Sequence, residues 1–168
     1  SACAEEIPDS SQKKLLEDIV SSSTPKILSV IEIDGEITST LEAYLKLHLL
    51  SSRLVRPNTL NLTNIFPCLP TVVWTNIGAI DPNEIEEVII ENRVKGKHIE
   101  IFSVDKFPQM TNYVIPSGVR IANSARIRLG AFLGEGTTVM HEGFVNFNAG
   151  TVGPNMVEGR ISQGVIVG

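Results

Sequence analysis

The chain has 168 residues, 42% hydrophobic and 20% charged, with a formal net charge of -5 at pH 7. That composition fits a globular protein with material for one core or two small ones. The acidic balance speaks against a nucleic-acid surface, which needs clustered Lys and Arg, and no apolar run approaches the roughly 20 residues of a membrane-spanning helix.

The opening SACAEEIPDS has no basic region and no apolar stretch, so it does not read as a secretory signal. Cys3 and Cys68 lie far apart without CxxC spacing and read as reduced thiols of a cytoplasmic protein, not as a disulfide or a zinc site. In that compartment the sequon Asn61-Leu62-Thr63 is incidental.

In chain order, residues 10–22 (SSQKKLLEDIVSS) predict a short amphipathic helix with a Ser cap. After Pro25, residues 26–34 (KILSVIEID) are β-branched and apolar enough for a strand, closed by an Asp34-Gly35 turn. Residues 39–55 then place Leu41, Tyr44, Leu45, His48 and Leu49 on one helical face, where His48 reads as a core or interface histidine. Pro57, Pro67 and Pro70 break the next segment into loops. A second strand follows at 71–78, with Trp74 as a core residue.

Residues 81–96 predict the clearest helix, with Asp81 as cap, Pro82 at the first position, early acids and a terminal Gly. A third strand is expected at 98–105. This alternation favours a small α/β domain over residues 1–112, and nothing in it has the spacing of a catalytic motif.

From Ile115 the pattern changes to a period of six. The segment reads IPSGVR, IANSAR, IRLGAF, LGEGTT, VMHEGF, VNFNAG, TVGPNM, VEGRIS, QGVIVG. First positions are Ile115, Ile121, Ile127, Leu133, Val139, Val145, Thr151, Val157 and Gln163. Fifth positions from Val119 to Ala149 are small or β-branched. This is the pattern of a left-handed parallel β-helix over residues 113–168, in which the aliphatic residue points inward and the small one fits near the corner. Three hexapeptides make one coil, so Ile115, Leu133 and Thr151 are expected on one face. Ile121, Val139 and Val157 form the second, and Ile127, Val145 and Gln163 the third. A solenoid leaves its last edge open unless capped, so further coils are expected after Gly168, and this stretch alone is expected to be inactive.

Such hexapeptide coils resemble those of acyltransferases that use acyl-coenzyme A or acyl-carrier protein. Residues 118–162, above all MHEGFVNFNAGT followed by MVEGRIS, closely resemble the tetrahydrodipicolinate N-succinyltransferase family, and FPQMTNYVIPSGVR (107–120) is similar to the approach to its β-helix. The resemblance implies a homotrimer with active sites between prisms. It also implies transfer of a succinyl group from the co-substrate succinyl-CoA to the ring-opened amino form of tetrahydrodipicolinate, a small-molecule acceptor. That reaction needs a base for the amine proton, donors for the thioester oxyanion and cations for the substrate carboxylates.

Carried over residue by residue, the resemblance makes Glu158 of MVEGRIS the catalytic acid, acting as general base or as acyl-anhydride nucleophile. It gives Arg160 to acyl-CoA contact, where a planar guanidinium suits a carboxylate or phosphate, and Gly159 to close backbone approach. Glu142 matches a position where some members hold Mg2+ on the trimer axis. The acid expected 17 residues earlier is Ala125 here, so Glu142 alone, repeated around a threefold axis, would have to hold the ion. The alternative is three carboxylates meeting water.

His141 is the base expected if the chain is instead another hexapeptide acyltransferase, such as an acetyltransferase. A third reading is a noncatalytic β-helix scaffold; three histidines, two of them in the first domain, exclude a three-His zinc site within one prism. Asn146 and Asn148 are expected to satisfy corner backbone groups or line the cleft. Arg120, Arg126 and Arg128 read as a solvated or intersubunit basic cluster.

Overall fold

A computed structural model describes residues 10–23, 26–27 and 29–168; Cys3 and Leu28 of the predicted strand lie outside the described residues. The chain forms two compact units, residues 1–30 and 31–168. The first contains α1 (Ser10–Ser21), one residue shorter than expected.

The expected strand at 26–34, which straddles the division between the units, is absent among the described residues. Val30 and Ile33 are exposed and no neighbouring strand bonds them, so β-propensity alone does not make a strand there. Helix α2 (Thr40–Ser51) starts where Ser39 Oγ accepts from Glu42 N at 3.2 Å. It stops four residues before the predicted end, because Arg53 takes a left-handed φ of 60°. The proline-rich stretch carries one short helix, α3 (Ile65–Cys68).

The single strand expected at 71–78 is a hairpin of β1 (Val72–Thr75) and β2 (Gly78–Ile80), with Asn76 and Ile77 in the turn. Strand β3 (Ile101–Asp105) pairs antiparallel on the other side of β1, giving the order β2-β1-β3. Between them α4 (Ile85–Val94) begins later than expected. Asp81 Oδ1 accepts from Asn83 N and Asn83 Nδ2, both at 2.8 Å, so the side chain closes a local turn instead of capping the helix.

Beyond a 3-10 turn at Met110–Asn112, the chain winds through three parallel sheets in rotation. Strand β4 (Arg120–Ile121) pairs with β6 (Thr138–Val139), and β6 with β9 (Met156–Val157). Strand β5 (Ala131–Leu133) pairs with β8 (Ala149–Thr151), and β8 with β11 (Ile166–Val167). Strand β7 (Phe144–Val145) pairs with β10 (Arg160–Ile161), and Ile127 bridges to Val145. Ile127, Leu133, Val139, Val145, Val157 and Ile161 form one apolar core. Thr151 is buried with them, its hydroxyl 2.6 Å from that of Thr137. Thr137 in turn donates to Gly153 O, so both hydroxyls are satisfied inside the coil.

The second predicted face is as expected. The other two are corrected. Ile115 is 77% exposed and pairs with nothing on Leu133, because the chain at 115 has not yet entered the ladder. Gln163 lies in an exposed turn, and Ile161 takes the third face instead. Ladder partners are 18 residues apart in the first coils but 16 apart where β10 meets β7 and β11 meets β8. Two residues are missing from the corner between Val157 and Ile161.

The coil does not stand apart from the elements before it. Ile37, Ala43, Leu47, Ile65, Leu69 and Phe107 share a core with Leu129 and Phe147. Ser51 Oγ donates to Ala131 O and accepts from Gly130 N, and Arg53 donates to Leu133 O and Ser117 O. The end of α2 is thereby pinned to one coil corner.

Candidate functional site

The corner between the second and third faces is crossed three times. From Ile121 to Ile127 and from Val139 to Val145 the inward residues are six apart; from Val157 to Ile161 they are four apart. The middle crossing projects Met140-His141-Glu142-Gly143, and the last is the tight pair Glu158-Gly159. Met140 N donates to Val157 O at 2.9 Å and Phe144 N to Gly159 O at 3.0 Å, so these bonds bracket the two corners side by side. His141, Glu142, Glu158, Gly159 and Arg160 therefore occupy adjacent coils on one edge, and all five are exposed. Gly143 has no room for a side chain, since a Cβ there would run into Val157 O and Val139. Gly159 is open, with nothing near its would-be Cβ, so a ligand can approach its backbone.

Arg160 and Phe144 are direct partners in the ladder. The Arg160 guanidinium carbon lies 4.8 Å from the Phe144 ring centroid, and Nε donates to Ser162 Oγ at 3.2 Å. On the same ring, at 5.9 Å, sits Arg128, which also covers Phe107 at 5.1 Å. Arg128 differs from Arg160 in one decisive respect: it is ion-paired to Asp105 Oδ2 at 2.8 Å and donates to Asn146 Oδ1 at 3.2 Å. No carboxylate among the described residues pairs with Arg160. A small cavity of about 130 Å³, lined by Asp105, Gln109, Ala125, Arg128 and Phe144 among others, adjoins this stack.

The three-arginine cluster thus resolves into different duties. Arg126 braces the protruding corner, donating from Nε to Gly143 O at 3.1 Å and from Nη2 to Glu142 O at 3.0 Å. Arg128 is neutralised by Asp105, and Arg120 is exposed on β4. Asn146 Oδ1 also accepts from Phe147 N. Asn148, buried at φ 52°, exchanges hydrogen bonds with Asn58 at 2.7 and 3.0 Å. Both asparagines therefore serve corner backbone and side-chain groups.

Glu142 does not find a metal partner among the described residues. Among the described residues no three His, Cys, Asp or Glu side chains gather to hold an ion. The neighbour that does reach the Glu142 backbone is a guanidinium, and Ala125 stands exposed in a 3-10 turn, Ser124–Arg126. A single carboxylate does not fit a divalent site, which takes several oxygen donors.

His48 is not at this edge. Its Nδ1 is 2.8 Å from Tyr44 O, and its ring packs edge-on against Tyr113 at 5.7 Å. Trp74 is buried and donates to Asp105 O. Phe144, Ser162 and Asp105 are members of the site that residue-by-residue motif reading passes over. The one available signal was Phe144 immediately before the inward Val145, a position that faces outward beside its ladder partner.

Comparison with known proteins shows what the chain is similar to. The family model described as "Tetrahydrodipicolinate N-succinyltransferase middle" matches residues 69–109. The chain is 61% identical over 160 residues to the 2,3,4,5-tetrahydropyridine-2,6-dicarboxylate N-succinyltransferase of Pseudomonas aeruginosa, covering 95% of this chain and 46% of that protein. It is 54% identical over 144 residues to the enzyme of the same name from Vibrio cholerae, covering 86% and 42%. A Campylobacter jejuni crystal structure described as a 2,3,4,5-tetrahydropyridine-2-carboxylate N-succinyltransferase superposes with a TM-score of 0.83 at 35% identity, over 96% of this chain and 43% of that one. The chain spans about half the length of the curated relatives it matches.

Proposed function

We propose, from this chain's membership of the tetrahydrodipicolinate N-succinyltransferase family, that the whole protein transfers a succinyl group from succinyl-CoA to the amino group of tetrahydrodipicolinate. The step belongs to lysine and diaminopimelate biosynthesis. The architecture that goes with it is an α/β part, residues 1–112, followed by a left-handed parallel β-helix from residue 113, assembled as a homotrimer in the cytoplasm. The two parts share the core around Phe147.

In this reading the amine nitrogen attacks the thioester carbonyl carbon, the carbon–sulfur bond breaks, and coenzyme A leaves as the thiol. Glu158 takes the amine proton and returns it to the departing thiolate; in the alternative route its carboxylate attacks the thioester first, releasing the thiolate, and the amine then attacks the resulting anhydride, its proton going to that thiolate. Gly159 offers open backbone, and Arg160 meets an oxyanion of the donor. The observation that carries the reading is the shortened Glu158-Gly159 corner with an arginine that no carboxylate among the described residues pairs. No step is assigned to Mg2+, because Glu142 with Arg126 at its carbonyl is a poor donor set; a site completed around a trimer axis would need Glu142 from each copy.

The test is release of coenzyme A thiol by the full-length enzyme carrying Glu158→Gln. Loss of about a hundredfold or more is expected, with His141→Ala retaining activity. Full activity in Glu158→Gln together with loss in His141→Ala would transfer the base to His141 and sink this assignment.

A further inference from the structure

The Arg128–Phe144–Arg160 stack holds two guanidiniums on one ring, and only one of them is spent internally. Arg128 is tied down by Asp105 and Asn146. Arg160 is held by the face of Phe144 and by the hydroxyl of Ser162, neither of which carries charge. An arginine left to itself on an exposed corner samples many rotamers, and ordering it on a ligand costs entropy. An ion pair would order it but would also consume the charge. A stacked ring orders the plane of the guanidinium while leaving its positive charge for an incoming anion. The ladder makes this arrangement durable, because Phe144 and Arg160 are register partners and β10 cannot shift past β7 without turning Val145 and Ile161 out of the core.

We propose that Phe144, helped by Ser162, is a positioning residue that presents the Arg160 guanidinium to an oxyanion of the acyl donor. This rests on the acyl-CoA role of Arg160 given above. The oxyanion is either the free carboxylate of the succinyl group or a phosphate of coenzyme A; both suit a planar, preorganised guanidinium.

The test uses the full-length enzyme and follows KM for succinyl-CoA and kcat separately. Phe144→Leu keeps an apolar side chain but removes the ring face. It is expected to raise KM about three- to tenfold with kcat within about twofold. Phe144→Tyr, which keeps the ring, is expected to restore KM, and Ser162→Ala to raise it by a smaller factor in the same direction. In an Arg160→Ala background, Phe144→Leu should add nothing, since the ring then has no guanidinium to hold. Thermal unfolding of each variant separates a folding defect from a binding one.

Inhibition by free coenzyme A locates the anion. If Phe144→Leu weakens that inhibition in step with KM, Arg160 meets a phosphate; if inhibition is unchanged, it meets the succinyl carboxylate, and either result upholds the positioning role. If Arg160→Ala raises KM while Phe144→Leu does not, or if the two losses multiply in the double variant, the role of Phe144 is overturned and that of Arg160 stands. If Arg160→Ala leaves KM unchanged, the underlying assignment of Arg160 fails first.

Discussion

Phe107 and Phe147 stack with their ring centroids 4.5 Å apart and 11° between planes, and Phe66 meets both edge-on at 5.9 and 5.7 Å. Phe107 lies two residues past the end of β3, and Phe147 belongs to the coil. This contact therefore joins the antiparallel sheet and the parallel ladders through one buried pair. Phe147→Ala should cost about 3–5 kcal/mol in urea unfolding, by removing a fully buried ring. Phe147→Leu should cost less, and an Ala variant as stable as the parent would show that the two parts are held together elsewhere.

Corner length is open to a direct trial. Inserting two glycines after Gly159 restores the spacing of the coil below and lets Glu158 swing away from the Phe144–Arg160 pair. The full-length variant is expected to fold and assemble, yet to lose transfer by about a hundredfold, the scale on which small misplacements act. Undiminished turnover would mean that the tight corner has no part in aligning Glu158.

Lys46 is fully buried, and its ammonium donates to Gly35 O and Asn61 O at 2.8 Å each while pairing with Asp34 at 2.8 Å and Glu42 at 3.4 Å. Lys46→Met leaves those acceptors without their donor and should cost about 2–4 kcal/mol at neutral pH. The Lys46 hydrogen bond, then that from Asn61 N, holds the Asp34 carboxyl below its usual 3.8, against a smaller opposing push from burial. The Glu42 carboxyl is lowered first by the Thr38 N–H and less by Lys46. Groups depressed in the folded state stabilise it above their unfolded values, and that contribution disappears as pH falls through the folded ones. Urea midpoints should therefore drop as pH falls below about 4, and the Met variant should show a shallower drop. Parallel acid limbs in the two proteins would argue against the Asp34–Lys46 linkage.

Tyr44 provides the alkaline counterpart. Burial, then Tyr113 and Asp105, pushes its phenol up to about 12, and burial raises Tyr113 as well. A raised folded value means that the stabilisation is complete below the ordinary 10.0 and is lost as pH climbs through the folded value. Tyrosinate absorbance should thus rise late and together with unfolding. Tyr44→Phe gives up the bond to Lys106 O and should cost about 1 kcal/mol at neutral pH while flattening the alkaline limb.

How far the residues alone reveal this molecule depends on whether the interaction is local or periodic. The six-residue repeat located Ile127, Leu133, Val139, Val145, Thr151 and Val157 in the interior, because every coil asks the same thing of the same position. It failed at Gln163, because a two-residue deletion leaves no mark in composition. The strand expected at 26–34 was read from propensity, yet a strand needs a partner and none is present there among the described residues. Lys46 reads as a solvated helix residue until Gly35 and Asn61, distant in sequence, supply carbonyls. Within the candidate site, MVEGRIS covers the shortened corner at Glu158-Gly159. The Phe144 stack and the Asp105 pairing of Arg128 come from ladder register and tertiary contact, which no motif spells out.

The shortened corner has a bearing on how relatives of this chain are aligned. Counted from Ile127 in sixes, the interior frame holds through Val157 and is then advanced by two, so that Ile161 and Val167 continue it. The deletion works as a frameshift in the structural code: upstream and downstream repeats are each regular, but they are regular in different phases. An alignment that enforces one phase throughout will put the polar Gln163 in the core where Ile161 belongs. Allowed one two-residue gap at Glu158-Gly159, the same alignment marks the candidate catalytic corner by the place where the count breaks.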